Sequence, residues 1–162
     1  MAIHYNSQWA PEYAREYLQK NGTDYKYEDL YEIALGQLEL EERVTVSGPS
    51  TMDQEGSRLR PVFLDTDLYT IKIWSEISFN SCDNRILTQI AKRTYDAYLL
   101  CNTDLPWEPD PLREYPDLLS RQKIYNYYKE VLVNQEMPWV DISGNYEERF
   151  LKAVNGVDGV LL

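Results

Sequence analysis

Three short apolar runs, each separated from the next by longer amphipathic segments, constrain the fold of this chain more than any other feature. They cover residues 61–65, 97–101 and 139–142, and a weaker fourth run covers residues 7–10. Such runs are typical of buried strands, and their alternation with helical segments indicates an α/β domain with a mainly parallel sheet. We predict a single domain over residues 1–162, because a chain of this length can bury one sizeable core.

The amphipathic segments are predicted to be helices that cover this sheet. Their predicted ranges are residues 11–20, 27–44, 67–79, 84–94, 117–134 and 146–157. In the second of them, apolar residues recur at helical spacing, and we expect Glu39, Glu41 and Glu42 on the exposed face. Residues 45–60 have no such period and are predicted to be an exposed, mobile connection.

Charge and composition exclude several classes of function. The formal net charge of −11 disfavours nucleic acid as a partner, because the phosphate backbone repels acidic proteins. No segment approaches the roughly 20 apolar residues of a membrane span, and the first residues lack the apolar region of a signal peptide. Cys82 and Cys101 lie far apart, without a histidine nearby, which argues against a zinc site or a disulfide framework. We therefore expect a cytoplasmic protein without membrane or nucleic-acid partners.

Two acidic residues follow the clearest predicted strand, in the run Asp65-Thr66-Asp67. Ligands bind at the carboxyl ends of strands in open α/β sheets, and a carboxylate there commonly holds magnesium. The other interpretation is an ordinary junction in which Thr66 or Asp67 caps the next helix. The sequence favours the two interpretations about equally.

Glu12 and Arg15 follow the weaker fourth run and are spaced to lie on the same side of a helix. Such a pair could act on a sugar hydroxyl and a phosphate. The commoner meaning of an acid and a base at this spacing is a surface ion pair, which contributes about 0.2–0.5 kcal/mol.

Three prolines make the loop at residues 104–114 stiff and irregular. We interpret it as a lid in which Trp107 forms an aromatic wall for a ring. Arg113 in the loop and Arg121 on the following helix would neutralise charge on a transferring phosphoryl group. The alternative is a structural crossover whose tryptophan fills the edge of the core.

A turn at Ser143-Gly144-Asn145 separates the last predicted strand from the last helix. Gly144 would let a flat base approach the backbone. A plain strand-to-helix turn explains the segment equally well, because Glu147 and Glu148 then compensate the helix dipole.

The order of these segments resembles the ribosylnicotinamide kinase domain of NadR-type, AAA-like P-loop proteins. The matching blocks are residues 9–17, 27–30, 36–37, 63–67, 72, 74–76, 95–100, 104–107, 110–113 and 142–149. The resemblance implies a P-loop nucleoside kinase-like α/β fold, with a mainly parallel sheet flanked by helices. It also implies phosphorylation of nicotinamide riboside by ATP and Mg²⁺ to nicotinamide mononucleotide, a salvage step in NAD biosynthesis.

The resemblance also implies roles for the residues singled out above. The implied catalytic residues are Glu12, as base for the 5′-hydroxyl, with Arg113 and Arg121. The implied nucleoside-binding residues are Arg15, Asp67 and Trp107, the last beside the nicotinamide. Asp65 would bind magnesium, and Ser143, Gly144 and Asn145 would lie at the adenine end of ATP.

The sequence departs from that family at the phosphate-binding loop. Family members begin with a strand that leads into GxxxxGK[ST], but here the first glycine is Gly22 and no Gly-Lys pair occurs. Residues 47–51 resemble such a loop superficially, yet they lack lysine and follow a predicted helix. We expect residues 1–6 to be the tail of the helix after the loop, and the first strand to be missing from this chain.

A missing central strand would leave ladder groups unpaired in the core. We therefore expect either a longer reading frame or a sheet that closes differently, and favour the first. Three interpretations of function follow. The chain is an incomplete or inactive nicotinamide riboside kinase, a nonenzymatic remnant that binds a nucleotide or a partner, or a related P-loop ATPase or regulator with another ligand.

Overall fold

The computed structural model of the protein describes residues 1–46 and 60–161. The chain divides into two compact units, Met1–Arg93 and Thr94–Leu162, and the single-domain prediction stays a prediction. Each unit contains a two-stranded parallel sheet with helices beside it, which confirms the predicted α/β class. No helix within the described ranges is long and apolar enough to cross a membrane. Residues 47–51, and nearly all of the predicted connection at residues 45–60, lie outside the described residues.

The first unit places its two short strands side by side. Its elements are α1 (Ala2–Tyr5), β1 (Trp9–Ala10), α2 (Tyr13–Asn21), α3 (Asp29–Val46), β2 (Phe63–Leu64), α4 (Leu68–Phe79) and α5 (Asn84–Ile90). Trp9 pairs with Phe63, and Ala10 pairs with Leu64. The N–H of Asp65 donates to the carbonyl of Ala10 at 2.9 Å, so the pairing continues to the point where both strands become loops.

Helix α3 supplies most of the core of this unit. Its buried side chains recur at helical spacing and are Leu30, Ile33, Ala34, Gln37, Leu38 and Glu41. The four apolar ones pack with Leu68, Ile71 and Ile86 from α4 and α5. Glu41 lies four residues after Gln37 and is therefore on the buried face, so its predicted exposure is wrong. Its carboxylate lies 3.8 Å from the guanidinium of Arg93, which compensates its charge.

The second unit repeats the strand-and-helix pattern with a longer ladder. Its elements are β3 (Tyr98–Cys101), α6 (Leu118–Val133), β4 (Trp139–Ile142) and α7 (Tyr146–Leu161). The parallel register runs from Tyr98 opposite Trp139 to Cys101 opposite Ile142. The buried apolar side chains of these elements are Leu100, Leu132, Ile142, Ala153 and Val157.

The predicted strands and helices are confirmed with modest changes at their ends. β4 has the predicted bounds, whereas β1 and β2 are shorter than the runs that predicted them. α5 ends at Ile90, four residues before the predicted end, because residues 91–93 form tightened turns instead. α7 continues past the predicted end at residue 157 to Leu161.

Gly36 of α3 lies against the ring of Tyr13 of α2. A Cβ atom at this position would overlap the ring of Tyr13. The N–H of Tyr13 also donates to Oε1 of Gln37 at 2.9 Å, so ring and backbone are held against the same turn of α3. The absence of a side chain at residue 36 is therefore a packing requirement.

We expect Gly36→Ala to lower the free energy of unfolding by about 1–3 kcal/mol, because the added methyl group displaces the Tyr13 ring. Urea denaturation measures the change. Gly159→Ala is the matched control, since it is also a helical glycine but its Cβ would meet no atom within 4 Å. The free energy of unfolding of that control should rise by about 0.5–1 kcal/mol, because alanine reduces the backbone entropy of the unfolded chain. Equal effects of the two substitutions would show that Tyr13 does not require the glycine.

Candidate functional site

Asp67 caps the helix that follows β2 and still has one carboxylate oxygen without a partner. Its Oδ1 accepts from the N–H of Thr70 at 3.1 Å and lies 3.3 Å from the Thr70 hydroxyl. Its Oδ2 is buried and has no hydrogen-bond partner among the described residues. The capping interpretation is therefore correct for one oxygen, while the other oxygen has no partner among the described residues.

Burial separates Asp67 from the other two aspartates that cap helices in the same way. The caps of α5 and α6, Asp83 and Asp117, accept backbone N–H groups at 2.7 and 2.8 Å. The side chain of Arg85 lowers the pKa of Asp83, and the N–H of Ser120 lowers the pKa of Asp117. At Asp67, burial raises the pKa above its usual value and outweighs the capping hydrogen bonds. The site thus keeps a carboxyl group where ionisation is unfavourable.

The amide of Gln37 joins the loops that leave β1 and β2. Its Oε1 accepts from the N–H of Tyr13 at 2.9 Å and from the hydroxyl of Thr66 at 3.2 Å. Its Nε2 donates to the carbonyls of Pro11 at 3.4 Å and Thr66 at 3.2 Å. Only 1% of Gln37 is exposed, so these four contacts are made out of water. The two loops therefore share one buried amide, which we call the Gln37 tie.

The Gln37 tie holds the loops that contain three of the four site residues predicted in this unit. Glu12 is the N-cap residue of α2, where its side chain makes no capping hydrogen bond, and Arg15 follows in the first turn. Asp65 and Asp67 lie on the loop after β2, Asp65 being exposed. The structure thus brings Glu12 and the two aspartates to adjacent strand ends, and their roles stay predictions.

Asp65, the residue predicted to bind magnesium, fits that ion only in combination with a ligand. No group of three or more His, Cys, Asp or Glu side chains suited to a metal occurs in residues 1–46 and 60–161. Mg²⁺ commonly binds through one or two carboxylates, with phosphate oxygens and water completing its coordination. Asp65, exposed at the end of β2, is compatible with that arrangement.

In the second unit, the structure brings Trp107 together with the two predicted lid arginines. The guanidinium carbons of Arg113 and Arg121 lie 5.7 and 5.2 Å from the centre of the Trp107 ring system. Arg113 donates to the carbonyl of Glu108 at 3.3 Å, and Nε of Arg121 is buried without a hydrogen-bond partner in the described part of the chain. Neither arginine forms an ion pair with a described carboxylate, and their predicted roles stay predictions.

Arg149 of α7 joins the loops that follow β3 and β4. Its Nε donates to the carbonyl of Gly144, and its Nη2 donates to the carbonyl of Asn102, both at 2.9 Å. Nη2 also forms an ion pair with Asp104, which accepts the N–H of Gly144 at 2.6 Å. This N–H and the guanidinium lower the pKa of Asp104, although burial opposes the shift. The guanidinium is thus a structural tie.

The predicted adenine-binding segment is a capped turn in which the N–H groups of Gly144 and Asn145 are already occupied. Oδ1 of Asn145 accepts from the N–H of Glu148 at 3.0 Å, while Oε2 of Glu148 accepts from the N–H of Asn145 at 2.8 Å. This reciprocal pair is a capping box. Gly144 has a φ of 101°, and Ser143 accepts from the ammonium of Lys152. An adenine would have to contact this turn through groups other than the N–H of Gly144 or Asn145.

Sequence reasoning missed Gln37 and Arg149, the two polar side chains that tie loops together. The sequence contains a signal for both, because each occupies a position at helical spacing from the apolar residues of its helix. Gln37 lies four residues after Ile33, and Arg149 lies four residues before Ala153. A polar residue in the apolar stripe of a helix must find buried partners, and loop carbonyls supply them here.

Comparisons with known proteins find a matching family and a solved structure with a similar fold. The model of the AAA domain family matches residues 1–149. A solved structure described as NadR protein in complex with NAD and AMP-PNP is similar, with a TM-score of 0.67 and 18% identity. The similarity covers 99% of this chain and 44% of the NadR chain, so this chain spans less than half of that relative. No curated protein matches the sequence. The comparisons confirm the predicted NadR-type, P-loop kinase-like fold.

We expect Asp67→Asn to stabilise the protein near pH 7, because asparagine keeps the helix cap and removes a carboxyl that resists ionisation. A raised folded pKa means that the folded state holds the proton more tightly. The contribution of Asp67 is therefore present below its unfolded pKa of about 3.9 and is lost as pH rises through the folded value. Urea denaturation at several pH values should show that the free energy of unfolding of the wild type declines over this pH window. The variant should show no such decline.

Asp117→Asn is the control for this prediction, because Asp117 caps α6 with the opposite shift in pKa. Its contribution is present above the unfolded pKa and is lost as pH falls through the folded value. Its substitution should therefore lower stability near pH 7. Changes of the same sign in the two variants would contradict the dominant role of burial at Asp67.

Proposed function

Because this chain belongs to the AAA domain family, we propose that it is a nucleotide-binding, kinase-like domain that binds nicotinamide riboside or a closely related nucleoside. The parent reaction is the ATP-dependent phosphorylation of nicotinamide riboside to nicotinamide mononucleotide. The similar NadR structure contains NAD and AMP-PNP, which supports a pyridine nucleoside and an adenine nucleotide as the two ligand classes.

The observation that carries this proposal is the buried Oδ2 of Asp67 at the end of β2. A buried polar atom without a partner costs about 1–3 kcal/mol, and a ligand that donates a hydrogen bond would remove that cost. The hydroxyl groups of a ribose are donors of this kind. We assign Asp67 to a ribose hydroxyl and Arg15, in the first turn of α2, to the same nucleoside.

Glu12 is assigned as the base of the parent reaction. In that reaction the 5′-hydroxyl oxygen attacks the γ-phosphorus of ATP, the bond to ADP breaks, and the hydroxyl proton must be accepted. A carboxylate within hydrogen-bond reach of the hydroxyl can accept it. Mg²⁺ at Asp65, when bound, would neutralise charge on the phosphates.

We propose that this chain binds the nucleoside without transferring phosphate. Its sequence contains no Gly-Lys pair, and therefore no GxxxxGK[ST] run. In P-loop enzymes the backbone N–H groups and the lysine of that run hold the phosphates of the nucleotide. Phosphoryl transfer depends almost entirely on such positioning and charge stabilisation.

Isothermal titration of the full chain with nicotinamide riboside, and separately with magnesium-ATP, tests this proposal. We expect the riboside to bind, with no nicotinamide mononucleotide formed when ATP is added. Asp67→Asn should weaken riboside binding at least tenfold, or about 1.4 kcal/mol, while Asp117→Asn should leave it unchanged.

Other outcomes of this titration identify other functions. Turnover with ATP would show that another segment holds the phosphates. Preference for guanosine or a phosphoinositide over the riboside would favour a related P-loop ATPase or regulator. Absence of any riboside binding would contradict the nucleoside proposal.

A second candidate function is nonenzymatic nucleotide binding by the second unit. It is favoured by Trp107 and the two arginines beside it, neither of which forms an ion pair with a described carboxylate. A nucleotide base can stack on the ring, and its phosphates can pair with the guanidinium groups. In this candidate the anion pairs with Arg113 and Arg121, and no phosphoryl group is transferred.

We expect ATP without magnesium to change the fluorescence of the wild-type chain and not that of Trp107→Phe, if this candidate is correct. Arg121→Met should weaken ATP binding, as measured by this fluorescence change, at least tenfold. Its guanidinium is the closer of the two to the Trp107 ring. Arg85→Met is the matched control, since Arg85 also lies over an aromatic ring, that of Tyr31, but is paired with Asp83. An equal loss in both variants would indicate a nonspecific charge effect.

A further inference from the structure

We propose that Gln37 is the positioning residue of the nucleoside site, which it serves by setting the separation of the two loops that contain the site's carboxylates. This inference rests on the proposed function for the identity of the ligand. Its structural basis is the Gln37 tie, in which one amide contacts the loops after β1 and β2.

The amide of Gln37 has no hydrogen-bonding capacity left for a ligand. A glutamine amide offers two N–H donors, and its oxygen has two lone pairs. Both lone pairs are used by Tyr13 and Thr66, and the nitrogen donates to Pro11 and Thr66. With 1% of its surface exposed, the side chain acts through the loops and does not touch substrate itself.

The contacts of this amide flank every acidic residue of the site. Pro11 and Tyr13 are the chain neighbours of Glu12, so the tie holds the backbone on both sides of the proposed base. Thr66 lies between Asp65 and Asp67, and the tie contacts both its carbonyl and its hydroxyl. A displacement of the amide would therefore shift the base relative to the carboxyl that receives the ribose.

Helix α3 makes the tie rigid. Gln37 lies near the middle of this 18-residue helix, and Ile33, Ala34 and Leu38 around it are buried in the core. Gly36, the preceding residue, lets the Tyr13 ring pack against the same turn. A site held by a buried side chain on a packed helix keeps its geometry more accurately than one built on loops alone.

The test compares riboside affinity in Gln37→Met with affinity in Gln135→Met. Methionine matches glutamine in length but cannot form the amide hydrogen bonds. Gln135 is the matched control, because its amide also joins backbone groups, those of Leu132 and Met137, in the second unit. We expect Gln37→Met to weaken nicotinamide riboside binding at least tenfold and Gln135→Met to leave it unchanged, with circular dichroism confirming that both are folded.

A smaller change keeps the proposal testable if Gln37→Met does not fold. Thr66→Val deletes one of the four hydrogen bonds, the one from the Thr66 hydroxyl, and should weaken binding about threefold. Gln37→Glu keeps both acceptor contacts and regains one donor when protonated. Its affinity relative to wild type should therefore recover as pH falls, whereas that of Gln37→Met should not. A role confined to folding would not produce this pH-dependent rescue.

Hydrogen exchange provides a readout that does not need the ligand. The N–H of Asp65 donates to Ala10 and not to Gln37, so its exchange reports whether the strand ends separate. It should exchange faster in Gln37→Met and stay protected in Gln135→Met. Retained protection in Gln37→Met, or unchanged riboside affinity in that variant, would overturn the positioning role while leaving the proposed function intact. Failure of the wild-type chain to bind riboside would overturn both.

Discussion

The hydrogen bonds of one buried amide, that of Gln37, are the constraint on which the first unit depends. They connect residues 24 to 29 positions apart in the sequence and hold together the loops that leave β1 and β2. Because the pair of strands is only two residues long on each side, its own ladder defines the loop positions weakly. The buried amide fixes the positions of the two loops further, because hydrogen bonds out of water are strong and costly to break.

Two of the buried polar atoms without partners belong to residues that the sequence had already singled out. One is the acceptor Oδ2 of Asp67 in the first unit, and the other is the donor Nε of Arg121 in the second. By contrast, the amide of Gln37 is fully satisfied, and Arg149 is paired with Asp104 and backbone carbonyls. Proteins satisfy buried polar groups throughout their scaffold, and exceptions concentrate at functional positions. The contrast distinguishes the structural ties from the two groups that we assign to ligands.

Most elements of the fold were predictable, because periodicity records which side chains are buried. The predicted strand at residues 139–142 and the helix at residues 117–134 appear with nearly the same bounds. Glu41 was wrongly predicted to be exposed because it is charged. It lies three residues after Leu38, on the buried face of α3. The buried positions of Gln37 and Arg149 were missed for the same reason, because both residues are polar. For the candidate site, only the positions of the predicted residues can be compared with the structure, and their roles stay predictions.

The sequence by itself determined the α/β class, the parallel strands, and which acids lie near the ends of strands. These properties depend on local pattern, because burial imposes a period on each helix and strand. Only the tertiary structure decided which of those groups keep a free buried atom, and which side chains hold the loops together. The physical reason is that burial and hydrogen bonding join residues distant in sequence. Asp67 and Asp117 both precede and cap a helix, yet only the packing around Asp67 raises its pKa.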